Sequence, residues 1–155
     1  MERKEFYFKL LLIISIALSP IICYLLVGYR SSYSMYFLTE AQPLFILGNV
    51  MTAFYLHKIK DWELPAFTII LVLTFSVDKY PMMHNILAVS FFVQAMFIIY
   101  KKGRNVTILI PYALSLSLSA VSLFYAEVAA IIVLCVHHAI NLFKFKKVIK
   151  KWKES

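Results

Sequence analysis

The chain has 155 residues, of which 62% are hydrophobic and only 15% charged, and its mean hydropathy is +0.79. Soluble domains run nearer half apolar and a quarter charged, so a soluble globular domain is excluded. Disordered, collagen-like and disulfide-scaffold classes fall on the same numbers, which leaves an all-α membrane protein built as one domain over residues 1–155.

A helix that crosses a bilayer needs about 20 mostly apolar residues. The first such run is 8–29 and the second 37–56. The third, 64–77, is short, with Trp62 before it as an interfacial anchor and Pro65 suited to a first helical turn. The fourth is 84–100. From 106 to 143 the chain is apolar over nearly two spans, and Glu127 is the only acidic residue within that stretch. A break at 124–127 divides it into a fifth span, 106–124, and a sixth, 127–143. The prediction is a bundle of six transmembrane helices with a short basic tail, 144–155. Five spans, one of them long and tilted, is the alternative.

The charges support the same division. Of the 16 Lys and Arg, all but Arg30 and Lys79 fall in the N-terminus, the 57–63 and 101–105 loops and the tail. With six spans these regions share one side, which the positive-inside rule makes cytoplasmic, with both termini there. The net charge of +8 is therefore a topology signal. Nucleic acid is not an expected partner, because the basic residues flank spans and are not interleaved with stacking aromatics. The tail also suits contact with anionic lipid.

Three features mislead on first reading. The basic start and apolar run resemble a signal peptide, but no small-x-small cleavage site follows, so the segment reads as an uncleaved first span. Asn105-Val106-Thr107 is a glycosylation sequon on the cytoplasmic side. Cys23 and Cys135 sit inside spans and read as small apolar core residues. No Gly-rich phosphate loop, nucleophile elbow or H-E-x-x-H motif occurs, and no metal or other cofactor is expected.

Polar groups in the apolar phase are costly and tend to carry function. Glu40, Asp78, His84 and Glu127 stand at span ends on the non-cytoplasmic side, so a clustered acid–imidazole site is one expectation. Wet helix ends are the plainer one. Within the spans, Gln42, Asn49 and Thr52 share a face of the second helix. On the sixth, Glu127, Leu134, His138 and Asn141 form a stripe at 100° per residue. His138 is expected to face the bundle and His137 a neighbour or lipid. Ser115, Ser119 and Ser122 make a small-residue stripe on the fifth span, suited to close helix packing or a homodimer. His84, Ala88, Phe91 and Ala95 form a packing seam on the fourth. His137 and His138 lie about 15 Å along the helix from Glu127, which argues against one metal site using both levels.

These polar segments resemble the six-pass DRAM family of autophagy modulators and its relatives, the fibroblast-growth-factor-receptor-activating proteins and the factors that remodel GPI-anchor lipid. The shared elements are Glu40 leading to Asn49 in span two, the start of span four at His84, Ala88 and Phe92, and Glu127 opening the last span. Val128 departs from the aromatic that the family tends to place after that Glu. The resemblance implies six helices with cytoplasmic termini and a role in membrane-lipid handling or partner binding, with no catalytic residue carried over. Three functions compete: a non-catalytic lipid- or partner-binding protein, which ranks first; a lipid-headgroup-modifying enzyme or remodelling factor using Glu40, Asp78, His84 and Glu127; and a small proton-coupled transporter using Glu127 and His138. Membrane lipids are the expected partners, with a membrane protein or a second copy left open.

Overall fold

The computed structural model describes the backbone of residues 3–103, 106–120 and 122–153, and the side chains of 4–101, 107–119 and 122–143. Asn105 of the sequon, and the side chains of the basic tail, lie outside the described residues. The described backbone holds helices and no strand: α1 Arg3–Val27, α2 Gln42–His57, α3 Glu63–Thr74, α4 Pro81–Gly103, α5 Val106–Ser117 and α6 Leu123–Lys153. Two short 3-10 segments, Tyr33–Leu38 and Leu118–Ala120, join α1 to α2 and α5 to α6.

The helix ends follow the local chemistry. Gly28 terminates α1 at φ +75, where its N–H donates to the Tyr24 carbonyl 2.8 Å away. Pro43 stands in the first turn of α2, where the missing N–H costs nothing, and Glu40 falls outside that helix as expected. The break in the long apolar stretch falls between the end of α5 at Ser117 and the start of α6 at Leu123, earlier than the predicted 124–127. The α6 helix therefore begins before Glu127. The predicted Ser stripe is also broken: Ser115 lies on α5, Ser119 in the 3-10 segment and Ser122 beyond it. The second predicted span likewise starts in 3-10 geometry, since Phe37 precedes α2.

Each helix packs against its neighbours in sequence, and α6 closes back on α1. The result is a ring of helices around a central axis. Leu12, Ile16, Leu56, Ile99, Tyr112 and Leu134 belong to the main buried cluster, while a smaller cluster around Cys23, Tyr36, Phe45 and Phe124 sits near the turns after α1. Outward faces are apolar too: Leu25, Val89, Phe97, Leu114 and Phe143 are each more than half exposed. So large an apolar exterior suits hydrocarbon as the solvent. Three helices, over Lys4–Val27, Pro81–Lys101 and Leu123–Phe143, are long and apolar enough to cross a membrane. The other three, at 16, 12 and 12 residues, fall short of the roughly 30 Å hydrocarbon layer at 1.5 Å per residue.

Trp62 corrects the interfacial expectation. Asp61 adopts φ 72, a left-handed conformation that Asp tolerates better than most residues. The turn thereby swings Trp62 inward, where it is 1% exposed and packs its ring 4.8 Å from that of His138 and 6.2 Å from that of His137. Both histidines are buried, so His137 does not face lipid. Its Nε2 meets Asn141 Nδ2 at 3.2 Å.

Candidate ligand-binding site

The opposite end of the ring is organised by the segment between α1 and α2. Tyr33, first residue of its 3-10 turn, donates its backbone N–H to Glu127 Oε2 at 2.6 Å. The carboxylate thus satisfies an N–H that a short helical turn cannot bond internally. The Tyr33 hydroxyl shares a 2.5 Å hydrogen bond with Ser19 Oγ of α1 and accepts one of 3.4 Å from Asn49 Nδ2 of α2. Asn49 also donates to the Phe45 carbonyl at 2.8 Å. A neighbouring bond, from Tyr36 Oη to the Gly28 carbonyl at 2.8 Å, folds the segment back over the end of α1. Tyr33, its neighbours and Glu127 form a plug in the mouth of the ring.

Gly48 makes that plug fit. A Cβ at this position would collide with Oγ and Cβ of Ser19. The α1 and α2 backbones therefore approach closely here, and Ser19 is held where it meets Tyr33.

His84 lies in the first turn of α4 and is 4% exposed. Its Nδ1 faces the carbonyls of Phe75 at 2.8 Å and Val72 at 3.2 Å. Carbonyls only accept, so Nδ1 carries the proton and serves the open carbonyls at the end of α3. In the neutral ring Nε2 is left as an acceptor, and it makes no hydrogen bond among the described residues.

Two voids meet at these groups. A cavity of about 90 Å³ on the ring axis is lined by Ser19, Tyr33, Asn49, Thr52, His84 and Glu127 among apolar side chains such as Phe45, Phe91 and Leu134. A groove of about 430 Å³ runs from it between α4 and the α5–α6 pair, past Asn85, Val89, Val93 and Leu116. The two share Ser34, His84, Ala88, Phe92 and Glu127. The cavity lining stops at Leu134 and does not include His138.

Of the four predicted outer residues, the fold therefore brings His84 and Glu127 to one void and leaves Glu40 and Asp78 on the exposed surface. Asp78 is engaged locally: the Ser76 hydroxyl holds its carboxyl below the usual aspartate value. Asn49 and Thr52 line the cavity as their shared face implies, whereas Gln42 stands above it at the head of α2. His138 and Asn141 belong to the Trp62 end. Tyr33 and Ser19 were not singled out from the sequence, nor was the link from Thr68 Oγ1 through Gln94 to Ser90, at 3.1 Å and 2.9 Å, which fastens α3 to α4. Among the described residues no three His, Cys, Asp or Glu side chains come together as a metal site.

The ring and its lateral groove define a helical membrane protein with a small, mostly apolar interior void. No protein-family model, no curated protein and no solved structure matches the chain.

Proposed function

We propose that this chain is a six-span membrane protein, with both termini cytoplasmic, that holds a membrane lipid in its outer half without transforming it. The observation that carries this reading is the continuity of the axial cavity with the groove between α4 and the α5–α6 pair, through His84 and Glu127. Apolar walls with a few polar groups at one end are what a lipid site requires. An acyl chain would lie along Val89 and Val93, with the headgroup at His84 and Glu127. The lining that ends at Leu134 favours a bound ligand over a path through the protein. The resemblance to six-pass proteins of lipid handling points the same way.

Six spans are compatible with the short helices because each has a non-α extension. The 3-10 turn Tyr33–Leu38 precedes α2, buried Ile59 and Trp62 precede α3, and Leu118–Ala120 follows α5. Irregular backbone is tolerated at membrane depth where protein covers it. The distribution of Lys and Arg orients the bundle.

Native mass spectrometry of the detergent-purified protein tests the function. The expected result is a retained lipid, lost when Ala88 in the shared wall is enlarged by Ala88→Phe. A protein that carries no lipid under conditions that preserve its fold would overturn the reading. Topology is tested separately by a Lys102→Cys variant, which an impermeant thiol reagent should fail to label from outside intact cells.

A further inference from the structure

Resting on the lipid-binding reading, we infer that the site selects a non-anionic lipid whose headgroup donates hydroxyl hydrogen bonds, of the diacylglycerol or ceramide kind, and rejects phospholipids of net negative charge. The polarity of the open groups carries this. His84 Nε2 is an acceptor once Nδ1 is committed to Phe75 and Val72. Glu127 uses Oε2 for Tyr33, and its Oε1 makes no hydrogen bond among the described residues. Both side chains are more than nine-tenths buried and line both voids. A ligand filling the junction must therefore bring a donor for His84 Nε2, because an acceptor it covers and leaves unmet is destabilising.

The charge balance excludes the commonest alternative. Among the described residues, neither the cavity nor the groove is lined by a Lys or Arg. The basic residues of the outer side are only Arg30 and Lys79. Arg30 turns a guanidinium nitrogen to the Tyr29 carbonyl at 3.2 Å, and Lys79 is exposed. A phosphodiester at the junction would meet no cation among the described residues, so nothing there would offset its charge in a mostly apolar wall. A charged amine is a weaker candidate than a hydroxyl. It would shed water into a mostly apolar wall with one carboxylate to face, and burying an ion pair repays little. A hydroxyl pays a far smaller desolvation cost for the same two acceptors.

The small axial cavity fits this assignment. At about 90 Å³ it admits a hydroxyl-bearing head but no large sugar or inositol group, while the 430 Å³ groove takes the chain.

The test uses the full-length protein in detergent, equilibrated with mixed micelles holding equal amounts of diacylglycerol, ceramide, phosphatidic acid, phosphatidylglycerol and sphingosine. Retained lipid is extracted and quantified against an unrelated membrane protein. Diacylglycerol or ceramide is expected to be enriched about tenfold over either anionic lipid, the ratio that 1.4 kcal/mol gives. Asn85→Lys places a cation on the groove wall at an exposed position, and it is expected to narrow that ratio toward one. Because the parent protein alone reads the selectivity, a poorly folding variant does not spare the inference. Equal or greater retention of phosphatidic acid or phosphatidylglycerol by the parent, or sphingosine as the preferred lipid, would overturn the headgroup assignment and leave lipid binding standing. Retention of no lipid above the control would overturn both.

Discussion

The two ends of the ring solve the same problem in opposite ways. At one end Trp62 enters the bundle and fills it, with the His137 and His138 rings against it. At the other, a loop enters and leaves space: Tyr33 is pinned by Glu127, Ser19 and Asn49 beside a cavity. A plug made of one large side chain maximises contact, and its value is stability. A plug made of backbone and hydrogen bonds holds polar groups at fixed positions beside a void, and on the proposed lipid-binding reading its value is recognition. Burial of polar groups alone does not separate the two ends, since histidine is buried at both. What separates them is whether space remains next to the buried group.

Breaking the filled end should have the largest effect. Trp62→Ala removes a fully buried indole and is expected to cost about 3–5 kcal/mol. Melting in detergent should fall steeply, while any protein that survives keeps its lipid preference. A mild effect on melting would mean that the turn at Asp61 does not hold Trp62 inside.

At the open end the largest loss should come from Gly48→Ala. The added methyl meets Ser19, and overpacking of this kind costs about 1–3 kcal/mol. The displaced Ser19 also loosens Tyr33, so lipid retention should drop more than the change in melting temperature accounts for. Ser19→Ala in the same background removes the obstacle. Recovery of melting without recovery of retention would show that the Ser19–Tyr33 bond matters to the site and not only to packing.

His84 divides stability from recognition at a single residue. His84→Ala abandons the carbonyls of Phe75 and Val72, at about 1–3 kcal/mol for unmet buried groups. His84→Gln can still donate to them, but cannot also present the imidazole acceptor at the same place. Its melting is expected to stay near that of the parent while retained lipid falls. If His84→Gln binds as the parent does, the residue serves only to tie α3 to α4.

How much of this was readable in the residues follows from the kind of signal each feature leaves. Apolar runs mark helices, so the order of the elements is visible, and a polar residue at a run's end, such as His84 or Glu127, stands out against its surroundings. Depth along the membrane is legible in that way, but direction around the helix axis is not. For that reason the sequence puts Glu40 and Asp78 at one level with His84 and Glu127, although both are exposed. Tyr33 and Ser19 left no mark, because a Tyr in an aromatic-rich turn and a Ser in an apolar helix are both ordinary there. Their pairing depends on the close approach at Gly48, a tertiary fact. Trp62 followed the statistics of interfacial aromatics until one left-handed residue, Asp61, overrode them.

The smallest expected effect belongs to Asp78, and it sharpens the comparison from outside the site. Its carboxyl lies below the ordinary value of 3.8, first because Ser76 donates a hydrogen bond to the charged form. A depressed value in the folded state means that the ionised group favours folding above the unfolded value. That contribution is lost as pH falls through the folded value. Asp78→Asn cannot titrate, so it lacks the contribution at every pH. The difference in melting temperature between parent and variant should therefore be small and constant from pH 5 to pH 7, roughly one unit or more above the transition, and shrink toward zero as pH falls below 3.8. A gap that persists unchanged into acid would mean that the Ser76 bond does not depend on ionisation. Lipid retention should be unaltered in Asp78→Asn at neutral pH, because this carboxyl lines neither the cavity nor the groove. A loss of lipid in a variant that melts like the parent would return Asp78 to the site, and the headgroup would then meet two carboxylates at the mouth of the ring.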